Sequence, residues 1–335
     1  MNMAESNAKY HHLIPQTYMS AWANKSGTLK VEFINDPGII VERNKENIAG
    51  MTDYHSIRAG MPICTAADAA AIFKVLSGYT VECDGVILST PLDLNSHFYD
   101  FEKWVITRPD GTLVSKKHIK HEIEQVKIKE IELNWSVKYE NNWREIVSKI
   151  EATTLNVPTG SIPEFDKDYL MRFFTALDWR GFRSNQLFEK TYESIVNGVL
   201  DNIQIPKNER VLPSLETAAD EIRHALLLQY YRRFLNDQGV IYKDAMANLA
   251  NTNFHFLVSD GPTKFITCDS PAFIYKRDDE KLLGLLPITP RILMTKGRNS
   301  DNTSLFFVTR ITDEEVIKYN NAIRGNAEEF IIHPA

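Results

Sequence analysis

The chain has 335 residues, 43% of them hydrophobic and 24% charged, with a net charge of -6. This is the balance of a folded globular protein; it excludes a disordered or fibrous chain and a bulk cationic coat for nucleic acid, though not a local basic groove. No apolar run approaches the roughly 18 residues that span a bilayer, and the N-terminus lacks a signal-peptide core. Three scattered cysteines, Cys64, Cys83 and Cys268, offer neither a disulfide framework nor a CxxC zinc site. A cytoplasmic protein with reduced thiols and no membrane partner is expected.

From Leu29 to Val41, LKVEFINDPGIIV alternates around Asn-Asp-Pro-Gly, which predicts a β-hairpin. WVITRPDGTLV, Trp104 to Val114, predicts a second hairpin around Pro-Asp-Gly, with a short helix over Ala66 to Val75 between them. After Ser115, Ile119, Ile123, Trp135, Trp143 and Ile150 recur at mostly helical intervals: a long amphipathic helix or a kinked pair, stopping near Val157 to Gly160. A second helical block is expected from about Glu164 to Leu200, and a third from the Pro213-Ser214 start signal to about Leu235.

The last third changes to period two. NFHFLVS, KFITC, AFIYK, RILMTKG and SLFFVTR are strand candidates joined by short loops, which predicts antiparallel pairing. A final helix opens on a capping box of Thr312 and Glu315 and ends at Gly325. The expected architecture is α+β in a single large domain: a mixed N-terminal region with short hairpins (1–114), a mainly helical centre (115–240) and, packed beside it, a C-terminal antiparallel sheet with its final helix (241–335).

Three stretches carry candidate chemistry. In YHHLIPQTYMSAWA, His12, Pro15 and Tyr18 form HxxPxxY, with Pro15 starting a helix so that an imidazole and a phenol can share a cleft; a capped helix start with Tyr18 and Trp22 buried is the plain alternative. In ITCDSPAF, Pro271 ends a strand and presents Asp269, either to activate water or to close an Asx-turn. In DWRGFRSNQ, Arg180 and Arg183 share a helix face beside Trp179, a mixture that suits phosphates and stacked bases, or else a solvated face. QYYRRFL and KKHIKHE repeat that mixture. His118, His121 and Glu122 lack the HExxH spacing of zincins and adjacent His11 and His12 point apart, so no metal is expected. Phosphate-loop, dinucleotide, nucleophile-elbow and zinc-deaminase signatures are missing as well, and no cofactor is called for.

The order HxxPxxY, Thr267-Cys268-Asp269-Ser270-Pro271, Pro287-Ile288-Thr289-Pro290-Arg291 and an asparagine at 320 or 321 resembles a bacterial domain-of-unknown-function family. Cys268, where serine is expected, and the additional segment Met61 to His97 depart from its pattern. The resemblance implies an accessory protein of the kind associated with phage defence, similar to a DNA glycosylase that excises a modified, for example glucosylated, base. On that reading Asp269 stabilises an oxocarbenium-like state and orients water, with His12 or Tyr18 beside it. Gln16, Trp22, Trp179, Arg180, Arg183, Arg291 and Asn321 then hold the flipped base and its phosphates. A nuclease or RNA-directed toxin using the same residues, or a sensor without turnover, stands as the alternative; modified phage DNA is the expected partner, and the oligomeric state is left open.

Overall fold

The computed structural model describes residues 10–181, 183, 203–207, 209–277, 281–298 and 304–335. They fall into two compact units, the first within Thr52–Asn134 and Val196–Leu235, the second within Tyr10–Met51, Trp135–Ile195 and Asn236–Ala335. Each unit draws on separate stretches of chain. The fold is α+β.

The second unit begins with β1 (Tyr10–His12), α1 (Gln16–Met19), β2 (Thr28–Phe33), β3 (Ile40–Asn44) and β4 (Gly50–Thr52). The hairpin expected around Asn-Asp-Pro-Gly is β2–β3, with Val31 opposite Val41. The chain then enters the first unit through α2 (Ala66–Ile72), β5 (Thr80–Cys83), β6 (Val86–Ile87), α3 (Pro91–Ser96), β7 (Trp104–Thr107), α4 (Lys116–Gln125) and α5 (Glu130–Trp135). Capping boxes at Thr65/Asp68 and Thr90/Asp93 start α2 and α3. The sheet β6–β5–β7 packs Val81, Trp104 and Ile106 on Ile72, Phe73, Ile119 and Ile123. The segment Met61 to His97 therefore forms part of this core. The second expected hairpin closes only as a single bridge, Thr107 to Leu113, around Gly111 at φ +83°.

No single long helix follows Ser115. Val126 is extended, and Ile128 exchanges both backbone hydrogen bonds with Ile57, so a tertiary bridge overrides helical periodicity. After α5 a π turn, Ser136–Glu140, leads into α6 (Asn141–Thr154). β8 (Gly160–Pro163) and α7 (Lys167–Arg180) complete this stretch; the rest of the helix expected as far as Leu200 lies outside the described residues. The third helix, α8 (Ala218–Leu235), starts later than the Pro213-Ser214 signal because Thr217 and Asp220 cap it, while Leu212 to Leu215 forms a turn.

The second unit resumes with α9 (Gly239–Ala247), β9 (Thr252–Ser259), β10 (Thr267–Cys268), β11 (Phe273–Lys276), β12 (Leu282–Thr289), β13 (Ile292–Arg298), β14 (Leu305–Ile311), α10 (Asp313–Asn326) and β15 (Phe330–His333). Its main sheet has the order β11–β12–β13–β9–β14–β8. The pairing is antiparallel except for β9 and β14, which run parallel with Phe256 beside Val308. That pair corrects the all-antiparallel expectation: β9 and β14 are not consecutive, and the intervening strands supply the long crossover that parallel neighbours need. β12 and β15 were not among the expected strands. Pro287 sits within β12, where β11 has already ended its pairing at Leu285 and a bulge follows on the β13 side, so its missing N–H disrupts little. Side chains alternate across the sheet. Leu257, Leu285 and Leu293 pack with Val316 and Ile323 of α10, and on the helical side Phe165 stacks against Phe256 and meets Phe306 edge-on. A smaller sheet, β10–β15–β2–β3, joins the N-terminal hairpin to the end of the chain. Thr312 and Glu315 cap α10 as expected, but the helix continues through Gly325 to Asn326.

Candidate functional site

The HxxPxxY and TCDSP motifs do meet, inside the second unit. Tyr18 is fully buried; its hydroxyl donates to the Pro287 carbonyl at 2.8 Å and lies 2.8 Å from Thr267 Oγ1. With its one proton committed to Pro287, the phenol accepts from Thr267. Burial holds its pKa well above the ordinary value, so it stays neutral. Trp22, equally buried, donates from Nε1 to the Phe265 carbonyl at 2.9 Å.

Asp269 has no exposed surface, and its carboxylate accepts the backbone N–H groups of Glu328, Glu329 and Phe330, tying the end of β10 to the start of β15. Burial pushes this carboxyl up to about 6 against the pull of those three donors. Arg180 is 1% exposed; it pairs with Glu140 at 2.9 Å, donates to the His12 carbonyl and lies over the Trp135 ring at 4.6 Å. These groups clamp elements of the second unit together, their lone pairs and protons engaged by buried neighbours.

The remaining expected residues are dispersed. His12 Nε2 stands 3.2 Å from the Gln16 amide nitrogen and 3.3 Å from the Glu46 carbonyl. The Arg183 amide donates to Ser270 Oγ at 3.0 Å and its side chain lies 3.9 Å from Glu328. Arg291 is exposed, 3.8 Å from Asp260, and Asn321 is exposed on α10. Its neighbour Asn320 does the structural work, accepting from Ile266 N–H and donating to the Lys264 carbonyl. The basic clusters of the first unit are likewise engaged, Arg232 with Asp68 and Glu130 and Lys120 with Glu102. His118 pairs with Glu122 at 2.7 Å on an exposed helix face.

Trp179 lines an open cleft, of about 740 Å³, in the second unit. Met171, Thr175, Asp178 and Trp179 lie on one face of α7, Asp244 on α9 and Asn248 at its C-terminal cap, and Lys296 and Arg298 at the end of β13. Arg172 fixes the two helices by binding Asp168, Asp237 and the Tyr242 hydroxyl. Two ionisable groups in the cleft are perturbed. Burial pushes the Asp178 carboxyl up to about 6, opposed by the charge of Lys296, and burial lowers the Lys296 amine, opposed by the charge of Asp178. Lys296 Nζ sits 4.1 Å from the centre of the Phe174 ring. Gly284, opposite Lys296 in the sheet, makes this possible: a Cβ there would come within 2.7 Å of Phe174 and 3.1 Å of Lys296.

A carboxyl poised near neutrality, beside an amine biased toward deprotonation and an indole wall, is equipped for proton transfer. Asp178 and Lys296 were missed in the sequence. The one available signal was Gly284, a lone glycine in an apolar strand, which marks a close approach. The chain belongs to a family described as a protein of unknown function (DUF4238), which it matches over residues 10–334. No curated protein and no solved structure matches it.

Proposed function

We propose that the protein hydrolyses the N-glycosidic bond of a modified base in phage DNA, with its reacting groups in the Asp178–Lys296 cleft. The observation that carries this reading is the pairing of a carboxyl at about 6 with a lowered amine in one cleft beside Trp179. Above pH 6 the Asp178 carboxylate takes a proton from water as the oxygen bonds to C1′. The C1′–N bond breaks, its electrons pass to the base, and the Lys296 ammonium gives the base its proton. Trp179 supplies a stacking face for an extruded base, with Arg298 available to a flanking phosphate. A cleft of about 740 Å³ accommodates a base enlarged by a sugar, and polar groups such as Asn248 favour a substrate bearing extra hydroxyls. The abasic sites left behind would block replication of the invading genome.

The test is incubation of the protein with glucosylated and with unmodified phage DNA, followed by alkali. Alkali-dependent breaks in the modified substrate support the reading. Breaks without alkali would make the protein a nuclease, and salt-sensitive binding without product a sensor; either outcome removes the glycosylase.

A further inference from the structure

The first unit contains a separate cavity of about 910 Å³, and we infer that it is a binding site for a small, largely apolar organic amine. Its walls are apolar, with Met61, Leu92, Ile205, Leu215 and Ile222 among them. Its polar lining includes Asn95, Tyr99 and Gln204, and two buried groups on α8 present acceptors. Glu221 and His224, one helical turn apart on α8, are 8% and 4% exposed. The Glu221 carboxyl accepts from the Val211 N–H at 2.9 Å and from the Tyr99 hydroxyl at 3.2 Å, one bond on each oxygen, and so retains lone pairs on both. Burial lowers His224 to about 3, so the ring is neutral; Nε2 stands 3.0 Å from the Tyr54 carbonyl and must carry the proton, which leaves Nδ1 as an acceptor.

An acidic floor under apolar walls matches a ligand whose body is hydrophobic and whose one polar end is an ammonium. Nearby Arg58 directs Nη1 to the Val211 carbonyl and Nη2 to within 3.8 Å of Asp53, while its charge also lowers Glu221 and His224. Burial pushes Glu221 upward against its two donors and the Arg58 charge; an entering cation opposes that bias further, so binding and ionisation of the carboxyl reinforce each other.

Calorimetric titration of the full chain with tryptamine and with indole-3-acetate tests this, because the two share a ring and differ in the sign of the charge. Tryptamine is expected to bind at least tenfold more tightly. Glu221→Gln, which still accepts from Val211, is expected to abolish that preference, and Ile222→Trp, at the half-open wall, to weaken tryptamine binding without loss of cooperative unfolding. Binding of neither compound, equal binding of both, or an unchanged preference in Glu221→Gln would overturn the assignment. The readout involves no DNA and is independent of the proposed glycosylase activity.

Discussion

Tyr18 and Thr267, 249 positions apart in the chain, share a buried hydrogen bond of 2.8 Å, and the same phenol donates to Pro287. Three motifs thus converge on one hydroxyl. Tyr18→Phe strands a buried threonine hydroxyl and a buried carbonyl, for which the expected cost is about 1–3 kcal/mol. Urea unfolding at constant m-value measures it, and base release by the surviving folded protein is expected to remain.

Asp269→Asn separates a clamp from a catalyst. An asparagine puts amide hydrogens against one or more of the N–H groups of Glu328, Glu329 and Phe330. We expect a loss of about 2–4 kcal/mol of stability, visible as a lowered melting temperature. A variant as stable as the parent would contradict the clamp.

Asp178→Asn is expected to act in the opposite sense. The folded protein holds the Asp178 proton more tightly than the unfolded chain, with a pKa raised from 3.8 to about 6. That preference stabilises the fold below pH 4 and is lost as pH rises from 4 to 6. The asparagine variant escapes the loss, so at pH 7 it should be more stable by up to about 2 kcal/mol, with no advantage at pH 3.5. Melting temperatures at the two pH values decide the matter.

Gly284→Val tests how the cleft is built. The added carbon meets Phe174 at 2.7 Å, closer than packed atoms tolerate, and crowds Lys296 at 3.1 Å. The expected cost is about 1–3 kcal/mol, with displacement of Lys296 and slower base release from the remaining folded protein.

What the sequence revealed was local. The β2–β3 hairpin and the capping box of α10 are each specified within a few residues by turn and cap chemistry, and both form. The strand end at Asp269 was legible too, but not its purpose: β15 was not foreseen, so the three N–H groups that occupy the carboxylate were invisible. Arg180 looked like a phosphate ligand for the same reason, since Trp135 at the end of α5 and Glu140 at the end of the π turn reach it only through packing against α7. The Asp178–Lys296 pairing brings a helix against a strand more than a hundred positions away by their numbers, and no periodicity encodes such a meeting.

The most direct measurement is mass-spectrometric detection of free base released from glucosylated phage DNA by the parent protein and by Asp178→Asn. The proposed mechanism predicts release by the parent and a fall of about a hundredfold or more in the variant, the scale of a lost general base, at undiminished thermal stability. Undetectable release by the parent, or unchanged release by the variant, would contradict it.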